Sequence, residues 1–399
     1  MENTLTVTRS DHTAADSDRA RSVFERPLVH APLIPEFVLR ANNAFIATDA
    51  RFGAAARLLS TLWREERKIP IGAFIVGPRG ETRRIKLGSR ISGPAARAGA
   101  NFMDHGVTAL AKAELLFREP GSVWDEERLW TNLLSSQCLT INLWAPMAYD
   151  LNLATAVWRG LLPGFVESVT RVRFEHSPGR FQDNYFGDGT AFDVLVDIVT
   201  PDGEPGLVAV EVKYVEEMLA TPARHRDRYD ETTRDCGLFI DPEDAILRRS
   251  GFEQLRREHV MAQLMVDKGL ASRGKFITIV PRLNRRAVAS NTMYAAELQD
   301  ATGDTPHGNG RARVGFQAFT LETVVRAIAD NGATEYASAL WSRYCDFHRV
   351  VRHVMESLVT TPSGTAFDRR KSDPSPGAKV KAPAASKRRS SAPRAAAAS

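Results

Sequence analysis

The sequence predicts a mixed α/β protein whose central sheet is flanked by helices. Two adjacent segments alternate between apolar and polar side chains and are joined by PDGEPG, a combination that is typical of a strand hairpin. A third alternating segment precedes the hairpin, and helical periodicity flanks all three. The predicted order of the core is therefore helix, strand, strand, strand, helix, strand.

The N-terminal third is predicted to be mostly helical. Residues 51–68 carry an apolar stripe at helical spacing, and residues 106–119 repeat this pattern. Residues 71–77 favour a short strand. Residues 125–162 are long enough for two helices, and we expect the break near Pro146 because proline lacks the N–H that a helix interior uses.

The central elements follow in order along the chain. Residues 165–176 predict the first strand, and residues 191–200 and 207–215 predict the two strands of the hairpin. Residues 242–269 predict a helix or a helix pair, and residues 275–283 predict a fourth strand. Helical periodicity then returns toward the C-terminus.

These elements predict five segments. They are a disordered N-terminus (1–20), a mostly helical region (21–134), the α/β core (135–290), a helical C-terminal region (291–360) and a disordered basic tail (361–399). The tail is rich in Pro, Ser, Ala, Lys and Arg, a composition that cannot build an apolar core.

Composition excludes several protein classes. No run of 18 apolar residues is present, so we expect no membrane span, and the polar N-terminus lacks the order of a signal peptide. The three cysteines are far apart, which argues against a disulfide framework or a zinc site and fits the cytoplasm. The net charge of +5 is the sum of +8 in residues 369–399 (nine Lys or Arg, one Asp) and −3 elsewhere, so a nucleic-acid contact outside the tail requires a local basic patch.

The predicted hairpin carries charged side chains among its valines. Alternate residues of a strand share a face, which groups Asp193 with Asp197 and Glu211 with Lys213. A turn centred near Gly203 would place Asp193 opposite Lys213 and diagonal to Glu211, with Asp197 closer to the turn. This register favours Asp193 over Asp197 as the partner of Glu211.

Two carboxylates on one face form a hard oxygen site suited to Mg²⁺ or Mn²⁺. Such an ion lowers the pKa of a bound water and neutralises phosphate charge, and a lysine beside it can orient or deprotonate the water. The alternative is a surface ion pair between strands, worth less than about 1 kcal/mol. The Glu-x-Lys tripeptide does not decide between them, because Glu66-Arg67-Lys68 repeats it at a predicted helix end.

The strands AFDVLVDIV (191–199) and GLVAVEVKY (206–214), joined by a short turn and followed by a helix and the strand KFITIVP (275–281), resemble the core of the PD-(D/E)XK nuclease superfamily, whose restriction-endonuclease-like core is αβββαβ. Four segments in order carry a more specific resemblance. They are LLSSQCLTINLWAPM (133–147), RFEHSPGR (173–180), GTAFDVLV (189–196) and VAVEVKY (208–214). They look like a family of uncharacterised bacterial restriction-endonuclease-related proteins, over about residues 50–290.

The resemblance implies a Mg²⁺-dependent endonuclease that hydrolyses DNA phosphodiester bonds. It implies Asp193 and Glu211 as metal ligands and Lys213 as the lysine that assists the attacking water. A catalytically inactive or RNA-directed binding module of the same fold is the alternative, and a protein in which the hairpin charges form an ordinary ion pair is a third reading. A homodimer is compatible with the resemblance, and the sequence does not indicate whether a methyltransferase partner exists.

The chain also departs from the pattern of the superfamily. Phe192 stands where the motif has its proline, and the core helix at about 142–161 offers only Asp150 where many members place a glutamate. Glu175, on the preceding strand, is the candidate that would replace this carboxylate as an outer metal or water ligand; the alternative is a plain surface residue.

Three side chains of the helix after the hairpin are candidates for substrate binding. His259 and Gln263 are one turn apart and are predicted to face one groove, and superfamily members often place a glutamine on this helix. Arg257 either contacts substrate or belongs to an exposed arginine-rich face.

Overall fold

The computed structural model describes residues 27–76, 83–218, 224–306 and 310–360. Its centre is a mixed five-stranded sheet flanked by helices, which confirms the predicted fold class. The segments predicted to be disordered, 1–20 and 361–399, lie outside the described residues. Within the described ranges, no helix is long and apolar enough to cross a membrane.

The N-terminal part combines helices with a separate two-stranded antiparallel sheet. Its elements are α1 (Glu36–Ala41), α2 (Arg51–Glu66), β1 (Ile71–Val76), β2 (Arg83–Ile91), α3 (Gly93–Arg97), α4 (His105–Leu116) and α5 (Glu126–Thr131). The sequence predicted α2, β1 and α4 within a few residues. It did not predict β2, because the exposed half of this strand carries cations at successive positions instead of an apolar face.

The central sheet and its helices follow. They are α6 (Ser136–Tyr149), α7 (Leu151–Leu161), β3 (Ser168–His176), β4 (Phe192–Val199), β5 (Pro205–Val212), α8 (Asp227–Asp235), a 3-10 turn (Ala245–Arg248), α9 (Glu253–Asp267), β6 (Arg273–Val280), α10 (Arg285–Ala296), β7 (Gly315–Thr320), α11 (Leu321–Asp330), α12 (Thr334–Tyr344) and α13 (Phe347–Thr360). The described residues up to Glu356 belong to one compact unit, and its division after residues 134 and 290 stays a prediction.

The helix break predicted near Pro146 is wrong. Pro146 lies inside α6, and the chain breaks at Asp150, whose side chain accepts the N–H groups of Asn152 and Leu153 at the start of α7. A proline leaves the carbonyl four residues earlier without its helical donor. Here the Tyr336 hydroxyl donates to that carbonyl, Asn142 C=O, at 2.5 Å, so the helix continues through the proline.

The strand order is β3-β4-β5-β6-β7. Strands β3, β4 and β5 pair antiparallel, and β5, β6 and β7 pair parallel. The valines on one face of the sheet pack against Trp144 of α6 and Trp158 of α7. The two indole rings are stacked, with their centroids 4.9 Å apart. The other face, which includes Leu195 and Ala209, packs against α9 and α10.

The hairpin register differs from the predicted one by one step. The Thr200 N–H donates to Glu204 C=O at 2.9 Å and closes a turn centred on Asp202, one residue before Gly203. Asp193 therefore lies opposite Glu211 instead of Lys213. The predicted face is unchanged, because the shift moves the partner by two residues.

Candidate active site at the hairpin

Three carboxylates lie side by side across three adjacent strands. Glu175 of β3 lies opposite Asp193 of β4, and Asp193 lies opposite Glu211 of β5. All three line one cleft of about 510 Å³ on the face of the sheet that α9 covers. The structure thus brings together the two predicted metal ligands and the predicted replacement carboxylate.

Asp193 is half-buried and accepts the backbone N–H of Val212 at Oδ2, 2.8 Å away. Burial raises the pKa of Asp193 well above its usual value, and the charges of Glu211 and Glu175 raise it further. The hydrogen bond from Val212 opposes this shift without cancelling it. Without a bound cation, Asp193 therefore favours its protonated, uncharged form.

Lys213 follows β5 directly and turns into the same cleft. Its Nζ lies 2.5 Å from Glu211 Oε1 and donates to Gln254 Oε1 at 3.0 Å. Burial opposes its charge, but the carboxylates of Glu211 and Asp193 outweigh burial and raise the pKa of Lys213 above its usual value. The side chain is therefore an ammonium group at neutral pH.

Gln254, near the start of α9, links these groups and was missed by the sequence reasoning. Its Nε2 donates to Glu211 Oε1 at 2.7 Å and to Glu258 Oε1 at 2.8 Å, while its Oε1 accepts from Lys213. Gln254 and Glu258 are one helical turn apart, so both face the sheet. Burial raises the pKa of Glu258 well above its usual value, and the charge of Glu211 adds to the shift.

Glu175 reaches the cleft through an unusual backbone conformation. Its φ is +47°, in the left-handed region that non-glycine residues rarely occupy, and its Oε1 accepts from Gln137 Nε2 at 2.6 Å. Burial raises the pKa of Glu175 to about 7. The hydrogen bond from Gln137 opposes this shift, and the negative charge of Glu211 adds to it. Asp150, the other candidate carboxylate, instead caps α7.

The three residues of α9 that were predicted to bind substrate lie in two different environments. Arg257 lines the cleft, where its guanidinium is hydrogen-bonded to Glu253 and to the Thr190 hydroxyl. His259 and Gln263 are fully buried in the core, on the face of α9 next to the cleft-facing one.

The prediction that His259 and Gln263 face the substrate groove is wrong. His259 donates from Nε2 to Val314 C=O at 2.8 Å, and Gln263 accepts the Val314 N–H at 2.7 Å. Both side chains thus hold the strand segment before β7. The spacing of one turn was right, but successive helix positions rotate by about 100°, so the next position after Glu258 faces a different neighbour.

The acids of the cleft fit a Mg²⁺ ion. In the part of the chain that the structure describes, no group of three or more His, Cys, Asp or Glu side chains forms a metal site by itself. Mg²⁺ keeps several waters and commonly uses one or two protein carboxylates, which the pair Asp193 and Glu211 supplies. Burial, and then the charges of Glu211 and Glu175, disfavour the charged form of Asp193, and a bound cation would stabilise that form.

A family model described as the PD-(D/E)XK nuclease superfamily matches residues 47–346. The match includes the whole five-stranded sheet and the cleft, and it extends past the segment over which the four motifs were recognised. Neither the curated proteins nor the solved structures give a match to this chain.

Proposed function

This chain belongs to the PD-(D/E)XK nuclease superfamily, and on that premise we propose that it is a metal-dependent nuclease that hydrolyses DNA phosphodiester bonds. The observation that supports this most strongly is the row formed by Glu175, Asp193 and Glu211, with Lys213 in the same cleft. A surface ion pair would not require three buried or half-buried acids on adjacent strands, because like charges directly opposite each other destabilise a sheet.

Asp193 and Glu211 would hold Mg²⁺ or Mn²⁺. When bound, such an ion supplies a water of lowered pKa and neutralises negative charge at the scissile phosphate. Glu175 lies on the far side of Asp193 and would accept a hydrogen bond from a water in the cleft.

The ammonium group of Lys213 would orient the attacking water and stabilise charge on the phosphate. Its role as a base is disfavoured, since its carboxylate neighbours keep it protonated. Gln254 bonds both Lys213 and Glu211, so it would fix the distance between them. Arg257, which lines the cleft beside them, would contact a phosphate of the substrate.

A non-catalytic binding module of the same fold is the second candidate. The contact between Lys213 Nζ and Glu211 Oε1, 2.5 Å, favours it, because an ion pair partly neutralises the site without a metal. The two candidates differ in whether bound nucleic acid is cut.

The test uses the purified chain with plasmid DNA, single-stranded DNA and RNA, each with Mg²⁺, with Mn²⁺ and with EDTA. We expect metal-dependent cleavage of DNA that is lost in Glu211→Gln and in Lys213→Ala. Lys68→Ala, in the other Glu-x-Lys tripeptide, is the matched control and should remain active. Cleavage that survives both site variants would refute the assignment, and binding without cleavage under every condition would establish the second candidate.

A further inference from the structure

One large aromatic side chain stands exposed next to two residues that line the cleft, Arg180 and Gly189. Phe181 lies in the segment between β3 and β4, and 61% of its surface is accessible. Its backbone φ is +58°, in the left-handed region that a bulky side chain rarely adopts. Exposure of the ring and strain in the backbone both cost free energy, and residues that carry such strain cluster at functional sites.

Two glycines leave room for the ring of Phe181 beside the backbone. Its N–H donates to Asp188 C=O at 2.7 Å. A Cβ on Gly121 would lie 2.4 Å from Phe181 Cε2, and a Cβ on Gly189 would lie 3.7 Å from Cε1. A side chain at position 121 would displace the ring from this backbone. The ring therefore rests with one edge against the backbone, and most of its surface is accessible.

Arg180, the residue before Phe181, bonds to the backbone of β3 at Glu175. The guanidinium of Arg180, the preceding residue, donates to Glu175 C=O at 2.9 Å and to Gly189 C=O at 3.0 Å. Arg180, Gly189 and Asp188 line the cleft, as does Val123, whose side chain is 74% exposed. One exposed apolar side chain, Val123, thus lines the cleft whose floor carries the acids, and the ring of Phe181 lies beside the cleft-lining Gly189.

The charge of the cleft wall indicates what would cover this ring. Arg128, Arg180 and Arg257 line the cleft together with its acids, and each guanidinium is paired with a carboxylate of the chain, so a bound phosphate would share or displace that carboxylate. An aromatic ring next to such groups matches a nucleotide strand, because a base can stack on the ring while its phosphates meet the arginines. Bases within a duplex are already stacked on each other, whereas an unpaired base has a free face.

We propose that Phe181 stacks on an unpaired nucleobase and gives the cleft a preference for single-stranded or locally unpaired nucleic acid. This inference rests on the proposed function of the cleft as a nucleic-acid site. It adds a determinant of substrate form that the catalytic groups themselves do not provide.

The test measures binding in EDTA, which prevents cleavage, by fluorescence anisotropy of a labelled single strand and of the matching duplex. We expect the wild-type chain to prefer the single strand. Phe181→Ala should weaken single-strand binding by about 5- to 150-fold, with duplex binding unchanged within about twofold, and Phe181→Trp should retain it. Tyr149→Ala, at an equally exposed aromatic (61%) at the end of α6 opposite to the cleft-lining Ser136, should change neither. A 2-aminopurine in the single strand should lose fluorescence on binding wild type but not Phe181→Ala.

Other results would overturn the inference. They are equal affinity of Phe181→Ala and wild type for the single strand, equal losses for single strand and duplex, or a matching loss in Tyr149→Ala. Dimers in gel filtration that dissociate in Phe181→Ala, with unchanged binding per chain, would mean that a second copy covers the ring. Cleavage assays with Mg²⁺ are scored separately: cleavage without an effect of Phe181 refutes this inference alone, and Phe181-dependent binding without cleavage refutes the nuclease alone. Absence of binding to any nucleic acid in EDTA, together with absence of cleavage in Mg²⁺ and in Mn²⁺, refutes both.

Discussion

Glu175 and Asp193 lie directly opposite each other on β3 and β4, and burial raises the pKa of both carboxyl groups. Like charges opposite each other destabilise an antiparallel pair. The free chain therefore tolerates an electrostatic cost at this position, and a bound cation would remove it. Stability of the fold and occupancy of the site should consequently be coupled.

The first prediction concerns this coupling. Mg²⁺ should stabilise the wild-type chain, by about 2.7 kcal/mol in free energy of unfolding at 100 times its Kd. Asp193→Asn should be at least as stable as wild type without metal, because Asn still accepts the Val212 N–H and carries no charge, and it should gain nothing from Mg²⁺. Thermal unfolding with and without Mg²⁺ measures both effects.

Asp197→Asn is the matched control for this prediction. Asp197 lies on the same strand and face, but it is bonded to Arg173 at 2.5 Å and does not line the cleft. Its variant should keep the full response to Mg²⁺. A response lost equally in both variants, or retained in Asp193→Asn, would contradict the placement of the metal.

A second prediction concerns Gln254. Gln254→Ala removes the hydrogen bonds that join Lys213, Glu211 and Glu258. Loss of a group that holds a metal ligand typically lowers metal affinity or activity by 10- to 100-fold, so we expect a drop of about this size in Mn²⁺ affinity, with kcat falling more than KM changes. Calorimetric titration with Mn²⁺ and steady-state kinetics are the measurements.

Gln263→Ala separates this effect from simple destabilisation. Gln263 lies on the same helix and makes two bonds to the chain before β7, away from the cleft. We expect this variant to unfold more easily while its Mn²⁺ affinity stays at the wild-type value. If the two variants lost metal affinity to the same extent, Gln254 would have only a structural role.

Strand parity made the central part of the site predictable from the sequence. Asp193, Glu211 and Lys213 alternate with buried valines, so one polar face followed from the period of two. The exact pairing did not follow, since the Thr200–Glu204 turn closes one residue earlier than PDGEPG suggests. A turn is fixed by local hydrogen bonds that composition does not specify.

The helix α9 was harder to interpret from the sequence. Its polar residues occur at several positions around the helix, and which of them face the cleft depends on how the helix is rotated against the sheet. Gln254 and Glu258 face the acids, whereas His259 and Gln263 face the chain before β7. Periodicity gives the spacing of a face, but only packing against neighbours assigns the face.

The domain bounds, the homodimer and the cytoplasmic location stay predictions.

A third prediction concerns the proline inside α6. Tyr336→Phe removes the hydroxyl that donates to Asn142 C=O and leaves this carbonyl without its donor, at an expected cost of about 1–3 kcal/mol in free energy of unfolding. Pro146→Ala restores an N–H that can donate to the same carbonyl. In a chain that already carries Pro146→Ala, Tyr336→Phe should therefore lower the free energy of unfolding by less than it does in the wild-type chain. Chemical denaturation of the four proteins measures this coupling, and additive effects would show that the two donors do not replace each other.

The last prediction is a pH dependence that arises from the buried face of α9 and not from the acids of the cleft. His259 is fully buried, and burial lowers its pKa to about 4, although its hydrogen bond to Val314 C=O favours the charged form. In the unfolded chain a histidine binds a proton below about pH 6.5. Between pH 6.5 and 4 the unfolded state therefore binds the proton that the folded state excludes, so the free energy of unfolding falls as the pH falls, by about 3 kcal/mol in total. His259→Gln should lose this part of the slope, and His225→Gln, at a half-exposed histidine, should keep it. Urea denaturation at pH 7, 6, 5 and 4 gives the slope for each protein, and equal slopes in wild type and His259→Gln would show that His259 is not its source.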